Sequence, residues 1–353
     1  MLEPLKVAII GTGAVARLAH IPAFQRLGSR VQIVALCDKN LEAAVSTSKA
    51  FSIPNSYSDV KEMLESETID IVDVCTPPQT HYNLVMMSLE KGLHTLIEKP
   101  MAMTGEECDS IIASARRKGV KLSVVHNNLF HPAFRSLNLQ SKQGALGDLL
   151  SVNVSLSEPR SHMISLKNHW VHKLPGGVLM ETGPHAVYMA LALLGVPEEI
   201  QVFGHSNLHL PWAPFDELRI FLSFKNALSS ISLSYSGIRW AATVEAIGSA
   251  GSVEADLRGY WTIRYSSKSQ GRIQQFADSL KAGFTILKGT STAALRSISG
   301  MARYGHDMII DEFVKSVSED KPEPVAPEEA RDTIVVLNAI ISKLEKANYV
   351  KAG

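Results

Sequence analysis

The sequence predicts two domains: a doubly wound α/β domain over residues 1–125, and an α+β domain over residues 126–353 built on a large, mainly antiparallel open sheet. Two observations make the division. Up to residue 125, short and almost wholly apolar runs alternate with helical patterns across brief connections, which is how a parallel sheet covered on both faces reads. Past that point the strands lengthen and alternate apolar with polar residues, as in an antiparallel sheet.

In the first domain strands are expected at Lys6–Ile10, Gln32–Cys37, Ile69–Cys75, His94–Ile97 and Lys121–Val125. Helical patterns fill the gaps at Ala14–Leu27, Leu41–Phe51, Ser58–Glu65, His81–Lys91 and Thr104–Lys118. Right-handed crossovers between parallel strands then wind the sheet in both directions. In the second domain strands are expected at Leu149–Ser157, Ile200–Ser206, Glu217–Phe224, Leu228–Ser234 and Ala241–Gly248, with one helix at Gly183–Leu194. Residues 264–305 form a basic helical insertion, and residues 306–353 close with helices at His306–Ser318 and Pro327–Ala347.

The insertion is compositionally distinct. Between Arg264 and Arg303 stand seven Lys or Arg residues, including Lys268, against the single acid Asp278. Ile273, Phe276, Leu280, Phe284 and Leu287 recur at helical spacing, the pattern of a solvated helix whose apolar side packs on the sheet. A subunit contact, an anionic-ligand flap and a membrane-surface helix are the alternatives.

Bulk composition narrows the partners. Thirty-five basic residues balance thirty-five acidic ones, which argues against nucleic acid or an anionic membrane as the main partner. No apolar run approaches the roughly 18 residues of a membrane span. The chain passes straight into its first strand, leaving no room for a signal peptide. Cys37, Cys75 and Cys108 have no metal-ligand spacing and no even framework; a reducing, cytoplasmic setting is expected.

Gly11-Thr12-Gly13-Ala14-Val15-Ala16 follows the first strand and opens the first helix. This is the GxGxxA variant of the Rossmann dinucleotide fingerprint: Gly11 allows the tight turn, Gly13 the approach of a pyrophosphate, and Ala16 close helix–strand packing. The second strand ends at Asp38, where an acid accepts the adenosine ribose hydroxyls and repels a 2′-phosphate. NAD is therefore expected, with NADP possible because Lys39 stands beside Asp38. Thr76 and Pro77 follow the strand Ile69–Cys75 on the cofactor side, and His81, which opens the next helix, is a cofactor-side candidate or a capping histidine. Asn128, three residues beyond the fifth strand, is expected to face the nicotinamide end.

Glu98-Lys99-Pro100 ends a strand of this domain, at the edge where open α/β sheets bind ligands. With the fingerprint and the downstream Gly176-Gly177…Glu181-x-x-x-His185, the chain resembles the Gfo/Idh/MocA oxidoreductases over nearly its whole length. The resemblance implies NAD(P)-dependent oxidation or reduction at a secondary alcohol of a sugar, inositol or related polyol. It implies that Lys99 touches cofactor and substrate, that Glu98 lies on the cofactor side, and that His185 is the catalytic histidine. Glu181 stands where the family usually carries aspartate, and Tyr188 where it often carries another. Lys99 can stabilise a developing alkoxide, and His185, with an ordinary pKa of about 6.5, can take the hydroxyl proton. Glu181 shares a helix face with His185 and either orients it or binds a substrate hydroxyl. Arg160 and Trp170 precede the double glycine, where substrate contacts are expected; the histidines nearby lack metal-ligand spacing, and no metal is predicted.

The expected enzyme is thus an NAD(P)-linked sugar or polyol dehydrogenase, a homodimer or homotetramer paired through the second sheet. The alternatives are a redox-assisted glycosidase on the same fold and a cofactor- or sugar-sensing regulator that has lost the chemistry.

Overall fold

The computed structural model describes residues 3–266, 271–298 and 304–351; Lys268 and Arg303 of the basic segment lie outside the described residues. In chain order the elements are β1 (Leu5–Ile10), α1 (Ile21–Arg26), β2 (Val31–Cys37), α2 (Leu41–Phe51), β3 (Asn55–Tyr57), α3 (Val60–Ser66), β4 (Ile71–Val74), α4 (His81–Glu90), β5 (His94–Glu98), α5 (Gly105–Lys118) and β6 (Leu122–Val125). There follow α6 (Pro132–Lys142), β7 (Leu149–Pro159), α7 (Val178–Leu194), β8 (Glu199–His205), β9 (Glu217–Ser223), β10 (Leu228–Gly237), β11 (Ala241–Gly248), β12 (Gly251–Asp256), β13 (Trp261–Ser266), α8 (Arg272–Ile298), α9 (Tyr304–Ser318) and α10 (Pro327–Lys351). The chain divides into two compact units, residues 1–127 with 305–334, and residues 128–304 with 335–353.

The first unit is a six-stranded sheet in the order β3-β2-β1-β4-β5-β6, parallel throughout. Strand order reverses between β1 and β4, so the loops after these strands flank the crevice where such sheets bind ligands. The apolar runs that announce the sheet are buried in it: Val7, Ala8, Ile9, Ile71, Val72, Leu96 and Ile97 are inaccessible to solvent. A charged residue stands in mid-strand among them, Asp73 in β4, also fully buried. Strand β3 escapes the pattern because its three residues, Asn-Ser-Tyr, are half-buried and carry no apolar period.

Helix α9 packs in this unit. Its apolar stripe buries Ile309, Ile310, Phe313 and Val314, while Arg26 pairs with Asp307 and Arg30 with Asp311 at 2.7 Å. Exposed pairs of this kind contribute at most about 1 kcal/mol each, so burial of the stripe holds the helix. Beyond it, the Val325 N–H donates to Ser123 Oγ, whose hydroxyl in turn donates to Val325 O at 3.0 Å, tying the following segment to β6.

The second unit is a seven-stranded sheet in the order β13-β12-β11-β7-β10-β9-β8. All its pairings are antiparallel except β7 with β10. Val152, Val154, Ile231, Leu233, Val244 and Ala246 form its buried face, on which α7 packs. The opposite face is open and carries Phe203 and Phe221 edge to face at 6.3 Å. Two corrections concern element limits. The helix expected at Gly183–Leu194 begins at Val178: Thr182-Gly183-Pro184 reads as a helix start, but the chain turns earlier, at Gly176 and Gly177, both with positive φ. Pro184 sits inside the helix, removing one N–H donor without ending it. Arg264, expected in the helical insertion, lies in β13 and donates from Nη2 to Ala145 O at 2.8 Å.

Replacing Phe313 by Ala empties a fully buried site and is expected to cost about 3–5 kcal/mol. Urea unfolding followed by fluorescence checks this; a cost below 1 kcal/mol would mean that the stripe of α9 does not hold the segment 305–334 in place.

Candidate functional site

In the first unit the fingerprint loop is shaped by what surrounds it. Gly11 has φ +96°, and a Cβ there would lie 2.6 Å from Cys75 O, so only glycine fits against the end of β4. A Cβ at Gly13 would meet no protein atom within 4 Å; the space beside it is open, as a loop that admits a pyrophosphate requires. Ala16 is fully buried. After Ala14 and Val15 the helix widens into a π-turn over Ala16–His20 before α1, an irregularity common at functional sites.

Asp38 closes the other side of this loop. Its Oδ2 accepts the Thr12 N–H and hydroxyl, each at 2.9 Å, and its Oδ1 accepts the Asn40 N–H at 3.0 Å. Burial alone would raise this carboxyl, but the hydrogen bonds from Asn40 and Thr12 and the charge of Lys39 hold it below the usual range. The cap of α2 is Asn40, whose side chain accepts from the Ala43 N–H, so Asp38 is not consumed by helix capping. The residues present fit a dinucleotide: an open glycine turn, helix N–H groups and an ionised acid at the end of β2.

Thr76 and Pro77 follow β4, and Thr80 Oγ1 donates to Thr76 Oγ1 at 2.8 Å or to Pro77 O at 2.8 Å. His81 is fully buried, with Nδ1 2.7 Å from Pro100 O and Nε2 2.8 Å from Thr76 O. Burial favours the neutral ring, which donates to one of these two carbonyls. His81 therefore spans from the Thr76 loop to the Glu98-Lys99-Pro100 turn and acts on backbone.

Behind that turn lies a cluster absent from the sequence reading. His20 is fully buried; its Nδ1 lies 2.8 Å from Asp73 Oδ2 and its Nε2 2.9 Å from Glu98 Oε1. A carboxylate oxygen thus faces each ring nitrogen, an arrangement that favours the doubly protonated ring. Burial works against that charge, but Asp73 and Cys75 together raise the imidazole well above its usual value. Glu98 is likewise penalised by burial, yet the hydrogen bonds from His20 and His306 hold it well below the carboxylate range. His306 Nε2 lies 3.5 Å from Glu98 Oε1, and Glu98 Oε2 accepts the Lys99 N–H at 3.0 Å. Glu98 thus turns inward, toward His20, and fixes the backbone of the half-buried Lys99. His20, Glu98 and His306 also bring metal-ligand atoms within 4.8 Å of one another. With both nitrogens of His20 acting as donors, that ring has no lone pair for a cation. The cluster was detectable in one respect: a lone acid inside the apolar run Ile-Val-Asp-Val-Cys demands a buried counter-charge.

In the second unit Glu181, His185 and Tyr188 lie along α7, one turn apart. His185 Nδ1 is 2.8 Å from Tyr188 Oη, and the same oxygen accepts the Asn128 N–H at 3.1 Å. Tyr188 is buried and Glu181 half-buried. Trp170 is half-buried beside His169 with ring centroids 5.5 Å apart, and Arg160 is exposed. An apolar cavity of about 220 Å³ lies near the start of α7, lined by His172, Leu174, Trp212, Phe215, Tyr235 and Ile341 among others; neither Glu181 nor His185 borders it.

Residues 5–126 match the oxidoreductase family profile described as an NAD-binding Rossmann fold, and residues 134–254 match the Gfo/Idh/MocA C-terminal domain. The chain belongs to the Gfo/Idh/MocA oxidoreductase family. A D-glucoside 3-dehydrogenase of Escherichia coli is 31% identical over 205 residues, 58% of this chain and 58% of that protein. The scyllo-inositol 2-dehydrogenase (NADP(+)) IolW of Bacillus subtilis is 27% identical over 207 residues, 56% of this chain and 54% of that protein. The chain thus matches little more than half the length of these curated relatives. In fold it resembles the WlbA dehydrogenase of Bordetella pertussis, solved with NADH and UDP-GlcNAcA, with a TM-score of 0.82 at 20% identity over 98% of this chain and 96% of the other.

Replacing His20 by Gln removes the cation that lies between the two buried carboxylates and is expected to cost about 3–5 kcal/mol. The pH dependence carries the sign. The contribution of His20 is complete below the ordinary histidine value of about 6.5 and is lost as pH rises through the raised value. That of Glu98 is present above the ordinary glutamate range and lost as pH falls through its lowered value. Thermal unfolding from neutral to alkaline pH should therefore show a fall in wild type that the variant lacks. Parallel curves for the two proteins would remove the charge from His20.

Proposed function

We propose that this protein is an NAD-linked oxidoreductase that interconverts a secondary alcohol and a ketone on a sugar, inositol or related polyol, with Lys99 and His185 handling the alcohol proton. The observation that carries the reading is the anchoring of His185 at Nδ1 by Tyr188. A base must present one defined nitrogen. If the Nδ1–H donates to Tyr188 Oη, that oxygen uses its second lone pair on the Asn128 N–H, and Nε2 is the nitrogen that takes the substrate proton. Tyr188 departs from the family's aspartate yet supplies the same support, which argues against a regulator that has lost its chemistry.

Gly11, Thr12, Gly13, Ala14, Val15 and Ala16 would hold the pyrophosphate and Asp38 the adenosine ribose, with Lys39, Thr76 and Pro77 beside them. Bound NAD supplies the hydride acceptor. The Lys99 ammonium donates to the reacting oxygen and stabilises it as the proton leaves. Glu98 and His81 act through backbone, holding Lys99 and the Thr76 loop. Glu181 binds a neighbouring hydroxyl, and Asn128, Arg160 and Trp170 complete the substrate side. The names of the glucoside and inositol dehydrogenase relatives support the substrate class. The buried free thiols Cys37, Cys75 and Cys108 support a reducing, cytoplasmic setting, and the open sheet face with Phe203 and Phe221 supports pairing of two copies.

The test is to mix the protein with NAD or NADP and a panel of inositols, aldoses, uronates, glucosides and nucleotide sugars, following absorbance of the reduced nicotinamide. Turnover is expected with at least one of them. Lys99→Ala should lower kcat by about 10²–10³-fold. Tyr188→Phe should lower it by roughly tenfold to a hundredfold and shift the pH profile of kcat. Retained NAD binding with no turnover across the panel would defeat the enzymatic reading, and cleavage of nitrophenyl glucosides with no net NADH would assign a redox-assisted glycosidase instead. Asp38→Ser removes the charged acceptor, and the preference for NAD over NADP should shrink by about tenfold or more; an unchanged ratio would mean that Asp38 does not read the ribose.

A further inference from the structure

Helix α8 is mounted with its apolar side outward. The residues that approach the rest of the second unit recur along one face, at Asp278, Ala282, Thr285, Gly289, Thr292 and Ala293, and all are small or polar. Gly289, the one fully buried position among them, lets the helix touch the chain leading into β13: a Cβ there would lie 2.8 Å from both Gly259 O and Trp261 Cβ. At about 100° per residue the opposite face carries Ile273, Phe276, Leu280, Phe284, Leu287 and Ile298, which are 50–88% exposed. The expectation that these apolar residues pack on the sheet is therefore reversed. The stripe runs the length of the helix, and a continuous exposed apolar surface of that kind marks an interaction site.

Charge identifies what it meets. The whole chain is neutral, yet α8 holds Arg272, Lys281, Lys288 and Arg296 against the single acid Asp278. Asp278 lies on the inward side, where its Oδ1 accepts from Gln274 Nε2 at 3.0 Å. Helical geometry sets Arg272 along one edge of the apolar stripe and Lys281 and Lys288 along the other. If two copies of the stripe packed on each other, Lys281 and Lys288 would face the same lysines of the second helix in an antiparallel pair and its Arg272 edge in a parallel one, with no carboxylate at either edge of α8 to receive them. An anionic lipid surface satisfies both features at once: Phe and Leu side chains enter the headgroup–acyl boundary while flanking cations reach up to phosphate. Among the described residues no helix is long and apolar enough to cross a membrane.

We propose that the outward face of α8 is a docking surface for an anionic phospholipid bilayer, on which the helix lies in the plane of the interface. The experiment is co-sedimentation of the full chain with vesicles of phosphatidylcholine alone or mixed with phosphatidylglycerol. The protein should partition onto the mixed vesicles on the order of a hundredfold more strongly than onto neutral ones at low salt, with the difference shrinking as salt is added. Phe276→Asp combined with Phe284→Asp should reduce partition at least tenfold while circular dichroism and melting stay unchanged, since both side chains face outward. Lys281→Gln combined with Lys288→Gln should remove most of the preference for anionic vesicles. Equal sedimentation with and without vesicles would overturn the proposal. If the phenylalanine variant also halved the molar mass by light scattering, a second copy would be the occupant of the stripe.

Discussion

A buried imidazolium between two carboxylates organises the first unit. His20 comes from the turn entering α1, Asp73 from the middle of β4, Glu98 from the tip of β5, and His306 from α9. Four segments far apart in sequence thus share one charge balance. Removing any member strands the others in a dry interior, where an unpaired charge is far more costly than a paired one is favourable. The arrangement gives the tip of β5 a defined geometry: Glu98 faces inward and its second oxygen holds the Lys99 N–H. Lys99 thus stands at a strand end whose backbone is fixed from behind.

In the second unit a neutral group orients a histidine. His185 is held by a phenol hydroxyl that also takes a backbone N–H. A hydroxyl can both donate and accept, so Tyr188 holds the ring of His185 without adding a charge of its own. Glu181, one turn earlier on α7, supplies the remaining carboxylate. The two departures from the family pattern are thereby separable: Tyr188 holds the ring of His185, and Glu181 keeps a carboxylate one turn away on α7.

What could be read in the sequence was what local chemistry dictates. The glycine turn at Gly11 and Gly13, Asp38 at the end of β2, the Glu98-Lys99-Pro100 turn and the apolar strands all follow from short-range pattern, and the first sheet was legible from them. The start of α7 was misread because Gly183-Pro184 imitates a helix start, whereas the true start depends on positive φ at Gly176 and Gly177. Strand β3 carries no period, and β12 and β13 went unread among turn residues. His20 and His306 could not be paired from sequence at all, because their partners are set by tertiary structure; only Asp73, an acid in an apolar strand, pointed to them. Helix α8 shows the limit most clearly. Its periodicity announced an amphipathic helix, but periodicity does not say which face meets the protein, and the buried Gly289 decided that.

The protonation of His20 is the point on which the first unit turns, and nitrogen NMR of ring-labelled histidine measures it directly. At mildly alkaline pH, where free histidine is neutral, the account predicts that both nitrogens of the His20 ring remain protonated. A spectrum showing a single protonated nitrogen on that ring under native conditions would contradict it.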